Sequence, residues 1–234
     1  MEIRDPLLRM NLNPIHMKFF KIPLACLTLV LLCIQFSAIA STSKADPYLT
    51  KQFTLNGSGN LKVETSGASV AVTGVSGNDV IVDMYVKLNG REIEMKDAEV
   101  EQELDNYNLD ISQSGNTISV IVKKRNNSWR NKLNISFKVQ VPTEMSSKFQ
   151  SSGGSISVDG INGDQEIATS GGSIQVVNSS GYVNTHSSGG SLRVENFDGN
   201  VDVQSSGGSV KVNQLTGDLK VNTSGGSVNL EEIN

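Results

Sequence analysis

From Ser151 to Leu230 apolar and polar residues alternate in short runs, and the runs recur every 18 residues. Side chains alternate faces along a strand, so alternate residues point to one side. The inward columns are Ile156, Ile174, Leu192, Val210, Val228 and Val158, Val176, Val194, Val212, Leu230. A second set reads Val183, Val201, Leu219 and Ile167, Val203, Val221, with Gln165 and Thr185 as polar exceptions. A fifth column, Ile161, Ser179, Phe197 and Leu215, precedes the glycines Gly163, Gly181, Gly199 and Gly217. The outward columns are polar: Ser157, Gln175, Arg193, Lys211, Asn229 on one face and Glu166, Asn184, Asp202, Lys220 on the other.

Before each run stands a glycine pair: Gly153-Gly154, Gly171-Gly172, Gly189-Gly190, Gly207-Gly208 and Gly225-Gly226, each flanked by serines. A fixed period of this size, carried by short strands and glycine corners, predicts an all-β chain that stacks on itself as a β-solenoid, or β-helix. The glycine pairs are expected at corners where positive φ or close backbone approach excludes a Cβ. Substituting valine for Gly189 is therefore expected to disrupt the stack. The flanking Ser and Thr columns can hydrogen-bond along the stack or to corner backbone.

Earlier in the chain, Thr65-Ser66-Gly67-Ala68-Ser69-Val70-Ala71-Val72 reads as a degenerate copy of the same unit, with Gly77 in the place of the second glycine. An insertion of about residues 83–150 separates this copy from the regular coils of 151–234. It contains strand runs at Met84–Leu88, Leu109–Ile111, Ile118–Val122 and Ile135–Val141, stopped by Pro142, which are expected to form an antiparallel sheet flanking the stack. Asp97 to Tyr107 is the one expected helix: Val100, Leu104 and Tyr107 fall at i, i+4 and i+7, and Asp97 can cap its start. Its acids read as a solvated face.

Composition changes this picture in one respect, the address. Met17-Lys18-Phe19-Phe20-Lys21 is a short basic start, Ile22 to Ala40 is apolar, and Ala38-Ile39-Ala40 places small residues where a signal peptidase reads. Residues 1–40 are therefore expected to be a leader with a start at Met17 and cleavage after Ala40, followed by a polar linker at 41–52 and one domain at 53–234. Both cysteines, Cys26 and Cys33, lie in the leader, so the mature chain would hold no disulfide. Losing Arg4, Arg9, Lys18 and Lys21 with Glu2 and Asp5 moves the net charge from −4 to −6, which offers no electrostatic reason to bind nucleic acid. No membrane span is expected once the leader is removed.

An exported start, an early Thr-Ser-Gly-x-Ser-Val-x-Val unit, an insertion ending in Val139-Gln140-Val141-Pro142, and serial Ser-Gly-Gly-Ser-Val-x-Val coils together resemble the bacterial domain family of unknown function labelled "putative adhesin". The likeness covers residues 53–234. It implies a β-solenoid at the cell envelope, in the periplasm, on the outer surface or released, and it brings no catalytic or binding residues.

Chemistry is sparse. The mature chain has a single histidine, His186, whose neighbours Ser187 and Ser188 alternate away from it, so no triad and no zinc site are expected. The glycine pairs precede strands, unlike phosphate loops, which open helices. Glu166 and Asp202 share an outward column two layers apart, about 9.5 Å, near the upper edge for an inverting glycosidase. Asn184 between them and Lys220 beyond point instead to chance spacing on a periodic face. The sharpest local feature is a basic loop around the only tryptophan: Lys123, Lys124, Arg125, Trp129, Arg130 and Lys132. It reads either as a soluble hairpin connection or as a ligand-contact loop in which Trp129 stacks on a sugar and the cations meet anionic envelope glycans. The sequence thus predicts a non-enzymatic structural and adhesion-like interaction module, with no cofactor. Its partners would be envelope glycans or another envelope protein. Alternatives are a carbohydrate-binding or polysaccharide-acting β-helix and a self-assembling scaffold built through its open last coil.

Overall fold

A computed structural model describes residues 46–93, 97–125 and 133–234. The leader, Trp129, Arg130 and Lys132 lie outside them. In chain order the elements are β1 (Leu49–Thr54), β2 (Gly59–Thr65), β3 (Ser69–Val75), β4 (Asp79–Leu88), β5 (Arg91–Ile93), α1 (Ala98–Leu104), β6 (Tyr107–Ser114), β7 (Thr117–Lys124), β8 (Leu133–Pro142), β9 (Met145–Ser151), β10 (Ile156–Asp159), β11 (Gln165–Thr169), β12 (Ile174–Ser187), β13 (Leu192–Ser205), β14 (Val210–Thr216), β15 (Leu219–Thr223) and β16 (Val228–Ile233). Among the described residues the fold is all-β with one short helix, in a nearly closed, barrel-like sheet of mixed strands.

The 18-residue beat appears as parallel register. Ile156 pairs with Ile174, Ile174 with Leu192, Leu192 with Val210 and Val210 with Val228. On the opposite face Ile167 pairs with Thr185, Thr185 with Val203 and Val203 with Val221. The inward columns are buried as far as Val212 and Leu215, whereas Val228 and Leu230 are 42% and 47% exposed. Both polar exceptions are buried. Gln165 accepts a hydrogen bond from the Ser147 hydroxyl, and the Thr185 hydroxyl donates to the Asp202 carbonyl at 3.5 Å.

The early unit stacks with the rest: Val70 pairs in parallel with Ile156, and Thr65 with Ser151. Its place in the stack differs from its place in the chain. β2 lies between β7 and β9, and β3 between β8 and β10, all parallel. So β7 and β8, expected in a flanking antiparallel sheet, instead extend the parallel layers, and β9 belongs to the stack although it precedes residue 151. The antiparallel strands of the insertion lie outside them, β6 on β7 and β4 on β8, with β1 on β4. Gly77 stacks under no second glycine. The chain turns there into β4, and Met145 takes the place beneath Gly163.

The helix is one turn shorter than the pattern suggests. Asp97 caps it by accepting from the N–H groups of Glu99 (2.8 Å) and Val100 (3.4 Å). Val100 is fully buried and α1 packs on β6 and β8, while Tyr107 starts β6 instead of completing the helix.

Two corners join the faces, and they work differently. At the first, the Thr or Ser ending one strand bonds the turn that follows: the Gly154 N–H donates to Ser151 Oγ (3.0 Å), and the Gly172 N–H to Thr169 Oγ1 (3.1 Å). The Thr65 hydroxyl also lies 3.1 Å from that of Ser151, along the stack. The two glycines of each pair are not equivalent. A Cβ on Gly154, Gly172 or Gly190 would lie 1.9–2.0 Å from a carbonyl oxygen of the layer beneath. Gly208 and Gly226 combine the same approach with positive φ. The first glycines (Gly153, Gly171, Gly189, Gly207 and Gly225) have no heavy atom nearer than 3.4 Å to such a Cβ and no positive φ. The expected sensitivity of Gly189 is therefore corrected: it belongs to Gly190.

The second corner bends through left-handed non-glycine residues, Asn178 (φ 50), Asn196 (φ 51), Gln214 (φ 55) and Glu232 (φ 53), the first three followed three residues on by a positive-φ glycine, Gly181 (φ 109), Gly199 (φ 137) and Gly217 (φ 132). Asparagine tolerates this region better than other side chains. Asn196 donates to Asn178 and Asn178 to Asp159, both at 2.9 Å, forming a side-chain ladder along the stack.

Candidate functional site

The described part of the basic loop is its root, at the end of β7. Lys123 forms an ion pair with Glu64 of the neighbouring β2, and Lys62 binds the same carboxylate at 2.7 Å. The hydrogen bond from Lys123, with that from Lys62, holds the Glu64 carboxyl down at about 2. The Lys124 N–H donates to Ser66 Oγ at 3.3 Å and the Arg125 N–H to the Asn106 carbonyl at 2.8 Å. The Lys123 ammonium is thus engaged within the sheet, through a glutamate that sequence distance hides.

The face carrying this root is formed by β7, β2, β9, β11, the second halves of β12 and β13, and β15. Its central outward column runs Ser119, Lys62, Lys148, Glu166, Asn184, Asp202, Lys220. Glu166 receives Lys148 at 2.7 and 2.8 Å, and Asp202 receives Lys220 at 3.2 Å. The two carboxylates considered as a glycosidase pair are thus each tied to a lysine, with Asn184 between them. His186 is exposed, one column further, between Ala168 and Gln204. Among the described residues no group of three or more His, Cys, Asp or Glu side chains converges as a metal site would require.

Beside the central column runs one of shorter side chains, Thr117, Asn60 and Ser146, with Asp164 and Tyr182 lining the same side further along, each just before the paired Gln165 and Val183. Short residues next to long Lys62, Lys148 and Glu166 leave a trough of about 530 Å³ on the sheet. Tyr182, 39% exposed, stands at one end. From Thr117 to Tyr182 the trough crosses four inter-strand steps, about 19 Å. Sequence reasoning missed it, because Thr117, Asn60 and Ser146 become neighbours only through the non-sequential order of β7, β2 and β9. Tyr182, an aromatic on an otherwise polar outward position, was the one signal available.

Among the described residues no helix is long and apolar enough to cross a membrane. No family model matches the chain, and no curated protein matches it. Solved structures are similar to it at low identity. A putative cell adhesion protein from Clostridium sporogenes is 6% identical, with 78% of this chain and 98% of that one covered and a TM-score of 0.41. A putative adhesin from Bacteroides fragilis is 10% identical, with 78% and 96% covered and a TM-score of 0.29. A putative lipid binding protein from Parabacteroides distasonis is 11% identical, with 82% and 96% covered and a TM-score of 0.29.

Proposed function

We propose that the chain is an exported β-solenoid of the bacterial cell envelope or surface, a non-catalytic module that acts through adhesion-like contacts of its long faces. The carrying observation is the parallel register held in 18-residue steps from Ile156 to Val228. Such a stack is a stiff support on which outward side chains repeat about every 4.8 Å, suited to contacting an extended partner at several points. The non-catalytic reading is supported by the state of the carboxylates. Glu166 is exposed and paired with Lys148, Asp202 is paired with Lys220, and Glu64 is held low, whereas a general acid needs a raised value. The export reading rests on the basic, apolar and small-residue pattern of Met17 to Ala40.

Cell fractionation with N-terminal sequencing, combined with adherence of protein-coated beads to intact bacteria, tests this. The expected result is a processed chain beginning at Ser41 outside the cytoplasm, and beads that adhere. A full-length cytoplasmic product, or beads no stickier than bare ones, would overturn it.

A self-assembling scaffold is the second reading. It is favoured by Val228, Leu230 and Ile233, which leave 42%, 47% and 37% of their surface exposed on β16, a strand that among the described residues pairs with β14 on one edge. Sedimentation velocity over a hundredfold concentration range decides it: mass growing with concentration, and lost in Leu230→Lys, supports the scaffold, and a constant monomer ends it.

A further inference from the structure

We propose that the trough bounded by Lys62, Lys148, Glu166 and Tyr182 binds a neutral linear polysaccharide, with Tyr182 as the platform on which one sugar ring stacks. The inference deepens the adhesion reading by naming a ligand class, and it rests on that reading for its setting.

Three features of the trough select this chemistry. Its shape is long and shallow, about 19 Å along the stack, which suits an extended chain more than a compact small molecule. Its floor offers hydroxyl and amide groups from Thr117, Asn60 and Ser146, donors and acceptors matched to sugar hydroxyls. At one end the Tyr182 ring, 39% exposed, supplies an apolar face beside a polar tip. Among the described residues the other exposed large hydrophobics all lie on β16, away from this column.

Charge separates neutral from acidic glycans. Two ammonium groups and two carboxylates line the trough, Lys62 and Lys148 with Asp164 and Glu166. Lys148 is committed to Glu166 and Lys62 to Glu64, so an anionic chain would have to displace an existing partner at each lysine. A hydroxyl needs no such exchange, because it can accept from an ammonium and donate to a carboxylate at once. A protein partner fits less well, because interface cores are built from several apolar anchors, whereas of the two large apolar residues lining the trough Tyr182 is exposed and Leu61 is buried.

Affinity electrophoresis of the purified chain provides the test. Gels would contain hydroxyethyl cellulose, galactomannan or soluble β-1,3-glucan as neutral probes and alginate as an anionic one. Retardation by at least one neutral polymer is expected, weakened about tenfold or more in Tyr182→Ala, as for a buried aromatic anchor, and kept in Tyr182→Phe. Ser146→Arg, which obstructs the floor without removing the platform, should also weaken retention. Circular dichroism and melting temperature should be unchanged in the tyrosine variants, because the side chain points outward. Retardation by no neutral polymer overturns the proposal, as does retardation by alginate alone or equal retardation of wild type and Tyr182→Ala. Bead adherence that survives such a failure would leave the adhesion reading standing without this ligand.

Discussion

Adding one methyl group at either glycine of the third pair should have opposite effects. A Cβ at Gly190 would sit 2.0 Å from the Gly172 carbonyl oxygen, 2.4 Å from its carbon and 2.9 Å from the Ser173 nitrogen. All three are backbone atoms of the adjoining layer, so no side chain can swing aside. Ordinary contact needs about 3.5 Å. Relief requires the layers to part by more than an ångström where the Ser188 N–H reaches the Thr169 carbonyl at 3.1 Å and the Ile174 N–H reaches the Ser191 carbonyl at 2.9 Å. Overpacking of this kind costs about 1–3 kcal/mol, and each ladder bond lost adds about 1 kcal/mol. Gly190→Ala should therefore destabilise by about 3–5 kcal/mol. At Gly189 a methyl carbon would lie 3.5 Å from its nearest neighbour, the Ser170 carbonyl oxygen, which is ordinary contact, and φ is not positive. Gly189→Ala should stabilise by about 0.4–1 kcal/mol, by restricting the unfolded chain. For a domain of this size about 1 kcal/mol corresponds to 2–4 °C, so thermal melts followed by circular dichroism should separate the two variants by about 7–24 °C. Equal melting temperatures, or a greater loss at Gly189, would refute the close-approach argument.

Two further predictions concern single residues. The folded pKa of Glu64 lies at about 2, below its ordinary value of 4.5, so its contribution is fully present above pH 4.5 and is lost as pH falls towards 2. Urea midpoints of wild type should therefore drop between about pH 5 and pH 2.5 by more than those of Glu64→Gln, and parallel pH profiles would contradict the assignment. Gln214 holds a left-handed φ of 55 in the column that begins with Asn178 and Asn196. Gln214→Asn should raise stability by about 0.5–1 kcal/mol, because asparagine tolerates that conformation; an unchanged or lower melting temperature would count against it.

Much of the core was legible because strand alternation and the repeat point to the same residues. Ile156 to Val210 and Val158 to Val212 are columns in the sequence and columns in the sheet. The corners were legible in position but not in mechanism. A glycine pair does not reveal which member approaches backbone, since that depends on the layer beneath, and asparagines such as Asn178 give no sign that they turn the chain. The order of layers was hidden for a different reason. Thr65 to Val72 was recognisable as a copy, but its insertion between the layers of β7 and β8 and those of β9 and β10 leaves no periodic trace, because β7 and β8 lack the glycine pair. The trough is assembled across that junction from residues far apart in the chain, whereas the basic loop around Trp129 is one contiguous stretch of sequence.

Register is the most direct test of the central claim that the chain stacks in parallel 18-residue layers. Gln175 is paired with Arg193, and Arg193 with Lys211. With Cys26 and Cys33 replaced by serine, Gln175→Cys with Arg193→Cys places two thiols one layer apart, about 4.8 Å between backbones, within the range a disulfide spans. Gln175→Cys with Lys211→Cys places them about 9.6 Å apart, beyond it. Mild oxidation should close an intramolecular bridge rapidly in the first pair, seen by mass spectrometry of the digested monomer, and leave the second open. Bridging of the second pair as readily as the first, or failure of the first while the chain remains folded, would contradict the stack.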